Sequence, residues 1–301
     1  MNNKIIIDTD PWVDDALAIM YAIKSWCKID WITTVFWNSD IENTTKNSLK
    51  ILSLINSDIS VYKWISNPIK VNKTFAVSHW DWGFWGVDFL TNNTIEKIDA
   101  VTYLVSTLEK TEDKISIICL WPVTNIAKVI TLRPDLTKKI DELIILWWVI
   151  WEKWNITDYA EFNVYNDPDA LKIVLSFELN IYLIPINICR KVFFTIEDFN
   201  NINNKNISNS IKSITNQYIN YYQNNKLFGD FKWGVMYDLL ATTFFTNKEL
   251  FLWEPTFINV VTKWINIWET FVQKKLKWNC NLINYVDDIA IKKLFFNTMN
   301  L

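Results

Sequence analysis

Short, nearly continuous apolar runs alternate along this chain with longer stretches whose apolar residues recur at helical spacing. The runs Ile5–Ile7, Ile32–Phe36, Ile59–Tyr62, Ile115–Cys119, Leu143–Leu146 and Ile181–Ile184 predict strands. Between them Asp14–Lys24, Thr44–Ile55, Ile98–Leu108, Asn125–Ile130 and Pro168–Ser176 predict helices. Strands this apolar must be covered on both faces, so the alternation predicts a doubly wound α/β fold around a mostly parallel sheet. No repeat and no Gly/Ser linker interrupts the pattern, and residues 1–301 read as one domain. The Asn-rich stretch Asn200–Ser210 reads as a surface loop or insertion. Beyond it the pattern predicts a helix over Ile211–Asn224 and strands near Phe257–Val261 and Glu269–Val272.

Composition adds one anomaly. The chain has eighteen tryptophans and four glycines, whereas an ordinary chain carries roughly 7% glycine because turns need a residue without a Cβ. The tryptophans occupy turn dipeptides: Pro11-Trp12, Trp37-Asn38, Trp82-Gly83, Trp85-Gly86, Trp121-Pro122, Trp154-Asn155, Trp233-Gly234 and Trp278-Asn279. The two counts together make a normal glycine content. This is the pattern of a gene whose UGA codons mean glycine, decoded with a table that assigns them to tryptophan. The alternative, a Trp-rich core or stacking surface, calls for tryptophans at apolar periodicities. At Trp12 the loop calls for a glycine-type conformation with φ above zero. Trp37, Trp121, Trp147, Trp148 and Trp154 would crowd the strand ends.

Net charge is −3 with both signs dispersed, which argues against a nucleic-acid or anionic-membrane binder. Cys27, Cys119, Cys189 and Cys280 are widely spaced without a CxxC pair, as reduced thiols in a cytoplasmic protein are. MNNKIIIDTD lacks the basic and apolar regions of a signal peptide. The longest apolar run, Leu143–Trp151, is too short to span a bilayer.

The chemistry gathers after the first strand, where Asp8, Asp10, Asp14 and Asp15 follow with no Lys or Arg among them. Carboxylates packed together repel, and a buried one without a partner is costly. A hard cation resolves that conflict, and all-oxygen ligation favours Ca²⁺ or Mg²⁺ over zinc. Helix capping and the helix dipole account for Asp14 and Asp15, but hardly for all four. In open parallel sheets ligands bind beyond the carboxyl ends of strands. Asn38, the segment Trp121-Pro122-Val123-Thr124-Asn125, Asn155 and Glu161-Phe162-Asn163 each follow a strand and bring polar groups to that rim.

Read with Gly for Trp, the segments become DTDPGVDDALAI, TTVFGN, HGDGGFGG, LGPVTNIA and LGGVIGEKGNITDYAEFNVYNDPDA. In this form the chain resembles the inosine–uridine-preferring nucleoside hydrolases along essentially its whole length. The resemblance implies Ca²⁺-dependent hydrolysis of the N-glycosidic bond of ribonucleosides, giving ribose and free base in nucleoside salvage. It also implies a homodimer or homotetramer. It makes Asp10 a metal ligand and the base that takes a proton from water. Asp15, Asp238 and the Thr124 carbonyl complete the metal site. Asp14, Asn38, Asn155, Glu161, Asn163 and Asp238 hold the ribose, with a backbone contact at Leu146, where many relatives have Met. Asp8 supports the metal residues from behind. The position before the last metal ligand, usually His, is Tyr237 here, whose pKa of about 10 in water still lets it donate a hydrogen bond. His79, the single histidine, matches a family histidine near the base. Base preference between purine and pyrimidine is not fixed by these residues.

Two rival readings remain at this level. A haloacid-dehalogenase-type phosphatase also opens with a strand and Asp-x-Asp, yet Asp14 and Asp15 would repel a phosphoryl group. A ribose or nucleoside binder without leaving-group activation fits Tyr237, but not the retention of Asp10, Asp14, Asp15 and Asp238.

Overall fold

The computed structural model describes residues 4–35, 41–64, 69, 91, 93–146, 166–224, 234–263, 269–274 and 277–301. An eight-stranded sheet forms the middle layer, in the order β3-β2-β1-β4-β5-β6-β12-β9. Its strands are β1 (Ile5–Thr9), β2 (Ile29–Thr34), β3 (Ser60–Lys63), β4 (Ile115–Cys119), β5 (Ile140–Leu146), β6 (Ile181–Ile184), β9 (Phe251–Thr256) and β12 (Cys280–Val286). All neighbours run parallel except β9, which pairs antiparallel with β12 at one edge. Two small antiparallel ribbons lie outside it, β7 (Phe193–Phe194) with β8 (Gly234–Val235), and β10 (Ile258–Val260) with β11 (Thr270–Val272). The helices are α1 (Val13–Lys24), α2 (Ile41–Leu54), α3 (Ala100–Lys110), α4 (Thr124–Leu132), α5 (Pro168–Leu175), α6 (Ile186–Cys189), α7 (Lys205–Asn224), α8 (Leu239–Thr246) and α9 (Asp288–Met299).

The sheet is covered on both faces because its strands are apolar on both. Successive residues of a strand point to opposite sides. Ile5 and Ile7 thus join one core with α1, α2, α7, α8 and α9, while Ile6 joins the other with α3, α4 and α5. β2 and β3 lie on one side of β1 and β4 on the other, so the winding reverses between β1 and β4. That is the crevice where open α/β sheets bind ligands, and it receives the carboxylates after β1 and the Thr124 segment after β4.

Several boundaries differ from expectation. β1 runs on through Asp8 and Thr9, and β2 starts earlier, at Ile29, through the polar Asp30. The Asn-rich stretch is not simply a loop. From Lys205 it is the start of the 20-residue helix α7, held by Ile207, Ile211, Ile214 and Tyr218, all buried at helical spacing. β9 and β12 carry no clean apolar run; β9 is exposed from Leu252 to Pro255, as an edge strand can be.

Among the described residues, two other than glycine have positive φ, Trp26 at 59° and Asn56 at 52°. Both end helices in the same way. The Trp26 amide donates to Ile23 and that of Cys27 to Ala22, while Asn56 donates to Ser53 and Ser57 to Leu52. This is the Schellman arrangement, whose left-handed residue is usually Gly and sometimes Asn. Trp26, 84% exposed, therefore occupies a glycine position without packing that would justify an indole. Trp12 corrects an expectation: its φ is −123° with ψ −153°, extended backbone open to any residue, and it packs edge-on against Tyr218 at 5.1 Å. Trp31 departs from the turn pattern as well. It lies within β2, buried against Tyr103 and Tyr62, although its indole N–H finds no acceptor among the described residues.

Candidate active site

β1 delivers Asp8 and Thr9 to the crevice as its last two residues, the turn that follows carries Asp10, and the first turn of α1 carries Asp14 and Asp15. All five are buried. The turn is braced from neighbouring elements. The Val35 amide donates to the Thr9 carbonyl at 3.0 Å, and the Asn47 side chain donates to the Pro11 carbonyl at 3.2 Å. Asp15 faces back into the turn, accepting from the Thr9 hydroxyl and, at 3.0 Å, from the Trp12 amide. These bonds orient its carboxylate before any ligand arrives.

Asp14, Asp15 and Asp238 each bring a carboxylate oxygen within 4.8 Å of the other two, and all three are buried. Asp238 precedes α8, more than two hundred residues along the chain. Burial raises the carboxyl of all three above the ordinary range, and neighbouring acids add to it, Asp15 acting on Asp14 and Asp14, Asp15 and Asp10 on Asp238. Asp10 is thus within electrostatic reach of the trio, while Asp14, assigned by the resemblance to ribose, is inside it. Asp8 supports the site from behind: one oxygen accepts from the Thr33 hydroxyl at 2.5 Å and the Asn125 amide at 2.7 Å. Its other oxygen is buried without a partner among the described residues. Burial lifts Asp8 to about 6, against the lowering effect of Thr33 and Asn125.

A hard divalent cation fits these residues. Buried oxygen donors converge from two distant segments, and the charges that raise Asp14 and Asp238 are themselves carboxylates.

Thr124 opens α4 at the end of β4, fully buried. Its hydroxyl donates to Asp167 at 2.7 Å. Asp167 also caps α5 through the Ala170 amide at 3.1 Å and accepts from the Ile69 amide at 3.2 Å. One carboxylate therefore ties together the Thr124 turn, the helix after the Glu161–Asn163 segment, and the segment leading toward His79. Leu146 ends β5, buried at the same rim. Tyr237 immediately precedes Asp238, and its backbone lowers the Asp14 carboxyl against the larger lift of burial. Asn38, His79, Asn155, Glu161 and Asn163 lie outside the described residues, as do Trp37, Trp147, Trp148 and Trp154.

Sequence reasoning passes over Asp167, and it places Asn125 at the rim without the bond to Asp8. Asp167 had a signal, an acid immediately before Pro168 at a helix start. The Asn125 bond to Asp8 has none, because Asp8 lies on a strand more than a hundred residues earlier.

The sequence profile of the inosine-uridine preferring nucleoside hydrolases matches residues 5–293. The chain belongs to that family. A probable uridine nucleosidase 2 of Oryza sativa subsp. japonica is 27% identical over 289 residues, covering 92% of this chain and 84% of the relative. A non-specific ribonucleoside hydrolase of Salmonella paratyphi B is 28% identical, covering 86% and 83%. Among solved structures, a plant nucleoside hydrolase superposes with a TM-score of 0.90 at 23% identity, covering 100% of this chain and 99% of its own. A purine-preferring ribonucleoside hydrolase from Gardnerella vaginalis gives 0.89 at 20% identity, covering 99% and 98%. At these identities the structural likeness establishes the nucleoside hydrolase fold. Among the described residues of this nucleoside hydrolase, no helix is long and apolar enough to cross a membrane.

Proposed function

We propose that this chain hydrolyses the N-glycosidic bond of ribonucleosides with the help of one Ca²⁺ held by Asp10, Asp15, Asp238 and the Thr124 carbonyl. The observation that carries the reading is the buried carboxylate trio Asp14, Asp15 and Asp238 at the β1–β4 crevice of a nucleoside hydrolase. The cation, when bound, acidifies water and offsets the packed negative charge. Asp10 takes the proton of the attacking water. Asp14, Asn38, Asn155, Glu161, Asn163 and Asp238, with the Leu146 backbone, orient the ribose hydroxyls. Their negative charge favours the oxocarbenium-like ribosyl centre that develops as the bond to the base lengthens. His79 and Tyr237 assist departure of the base.

Nucleoside salvage and a homodimeric or homotetrameric assembly are expectations from the family resemblance, and cytoplasmic location is an expectation from the spaced, unpaired cysteines. The deciding experiment is ribose release from inosine, uridine and p-nitrophenyl riboside. Turnover of both nucleosides and the activated riboside supports the enzyme. Binding of ribose or nucleoside with no turnover of any of them would make the chain a binder.

A further inference from the structure

We propose that Asp167 is a positioning residue for the metal site, holding through the Thr124 hydroxyl the turn that gives Ca²⁺ its main-chain ligand. This role rests on the nucleosidase reading above, whose metal ligands do not include Asp167. Asp167 stands immediately before α5 and caps that helix by accepting from the Ala170 amide at 3.1 Å, with Pro168 beginning the first turn. A cap alone needs neither burial nor a second oxygen. Asp99 caps α3 through the Thr102 amide at 3.0 Å, and Asp287 caps α9 through the Ala290 amide at 3.0 Å; both are half-buried. Asp167 is fully buried.

A carboxylate withdrawn from water is costly unless its oxygens are hydrogen-bonded. At Asp167 both are. One oxygen takes the Ala170 amide, and the other takes the Thr124 hydroxyl at 2.7 Å and the Ile69 amide at 3.2 Å. The donors come from α5, from α4 and from the stretch after β3. α4 and α5 pack against each other, with Ile126, Ala127, Ala170 and Val174 in one core, and their first turns meet at this side chain. Negative charge is favoured at a helix start, and here it serves two at once.

α4 has no side-chain cap of its own, because Val123 occupies the cap position. Its first turn is held from outside instead. The Thr124 hydroxyl goes to Asp167 and the Asn125 side-chain amide to Asp8 at 2.7 Å, and all four residues are fully buried. Two successive residues are thus clamped by carboxylates from distant parts of the chain. Within the turn, the Thr124 amide donates to the Pro122 carbonyl at 2.7 Å. Threonine is branched at Cβ and stiff about χ1, so a bond at its hydroxyl also constrains its main chain. A carbonyl ligand carries no net charge to draw it toward a cation. Its contribution depends on being held in place before the cation arrives, which is what the partner of a metal ligand does.

The test is calorimetric titration of Ca²⁺ into the full-length chain, made with the residues its own host inserts and stripped of metal, with no nucleoside present. D167A should weaken Ca²⁺ binding by about 10- to 100-fold, the loss typical when the partner of a metal ligand is removed. T124V deletes one hydroxyl while keeping the main-chain carbonyl and the side-chain volume, and it should weaken binding in the same direction. T124S restores a hydroxyl and should recover most of that loss. D167A/T124V should bind no more weakly than D167A alone, since both break one bond. D287A removes an aspartate cap of the same kind from α9; it should lower Tm yet leave Ca²⁺ affinity within about threefold of the parent. Ribose release from inosine should follow the same order, its half-maximal Ca²⁺ concentration rising by the factor seen in Kd. T124V binding Ca²⁺ as tightly as the parent, or D287A weakening it as much as D167A, overturns the inference and leaves the nucleosidase reading intact. A parent chain that binds no Ca²⁺ overturns the inference and the metal assignment together.

Discussion

Trp26→Gly isolates the backbone question at a single position. Trp26 holds a φ of 59°, and an L-residue in the left-handed region costs roughly 1–2 kcal/mol relative to its relaxed state. Glycine removes that strain, but its greater freedom in the unfolded chain takes back roughly 0.5–1 kcal/mol. The indole is 84% exposed, so little packing is lost with it. The balance is a stabilisation of about 1 kcal/mol, which in a chain of this size raises Tm by roughly 2 °C or slightly less. Asn56 supplies an internal control, having the same helix-end hydrogen bonds and a φ of 52°. Asparagine tolerates this region, so Asn56→Gly should gain less than Trp26→Gly. Paired thermal and urea melts of the two single variants measure the difference. A Trp26→Gly variant less stable than its parent, or one gaining no more than Asn56→Gly, would refute the reasoning and make the indole a genuine part of the helix end.

Asp8, Asp14, Asp15 and Asp238 are raised in the fold above the ordinary 3.8, Asp8 to about 6 and Asp14 to about 7. Their contribution to stability is full below the ordinary carboxylate range and lost as pH climbs through the folded values. The metal-free protein should therefore lose Tm between pH 5 and 8, and Ca²⁺ should restore more at pH 8 than at pH 5; a metal-free Tm that rises over that window contradicts this. Asp10→Ala should lower turnover at least as much as the 10²–10⁴-fold typical of losing one acid–base group, read as ribose release at saturating substrate. His79→Ala should slow natural nucleosides far more than p-nitrophenyl riboside, and equal slowing would make His79 a structural or ribose-side residue. Tryptophan at all eighteen positions should give a poorly folded or inactive chain, whereas glycine there should give an active one. Expression of both forms, with the intact mass of the native protein, decides between them.

The doubly wound core was legible because its strands are uninterrupted apolar runs and its helices keep regular spacing; Ile115–Cys119 and Ile181–Ile184 fall where expected. The carboxylate cluster was legible for a different reason. Asp8, Asp10, Asp14 and Asp15 stand close in sequence without a cation, a conflict that requires an explanation even before folding. Asp238 came only through the family resemblance, since nothing in its neighbours announces that α8 will carry it to Asp14 and Asp15. α7 was half hidden because asparagines mask the Ile207–Ile211–Ile214–Tyr218 stripe. β9 was hidden because an exposed edge strand containing Pro255 needs no apolar alternation. The turn dipeptides mark the tryptophans as turn residues. Trp26 supports that reading through its φ, Trp12 lacks the expected strain, and Trp31 is packed as a core aromatic.

In this reading the buried carboxylates hold a cation that nucleoside hydrolysis requires. The most direct test is ribose release from inosine and uridine by the glycine-decoded chain, before chelation, after exhaustive chelation with metal content verified, and after return of Ca²⁺. Activity that disappears with the metal and returns with Ca²⁺ is the expected result. Undiminished hydrolysis by demonstrably metal-free protein would contradict the account.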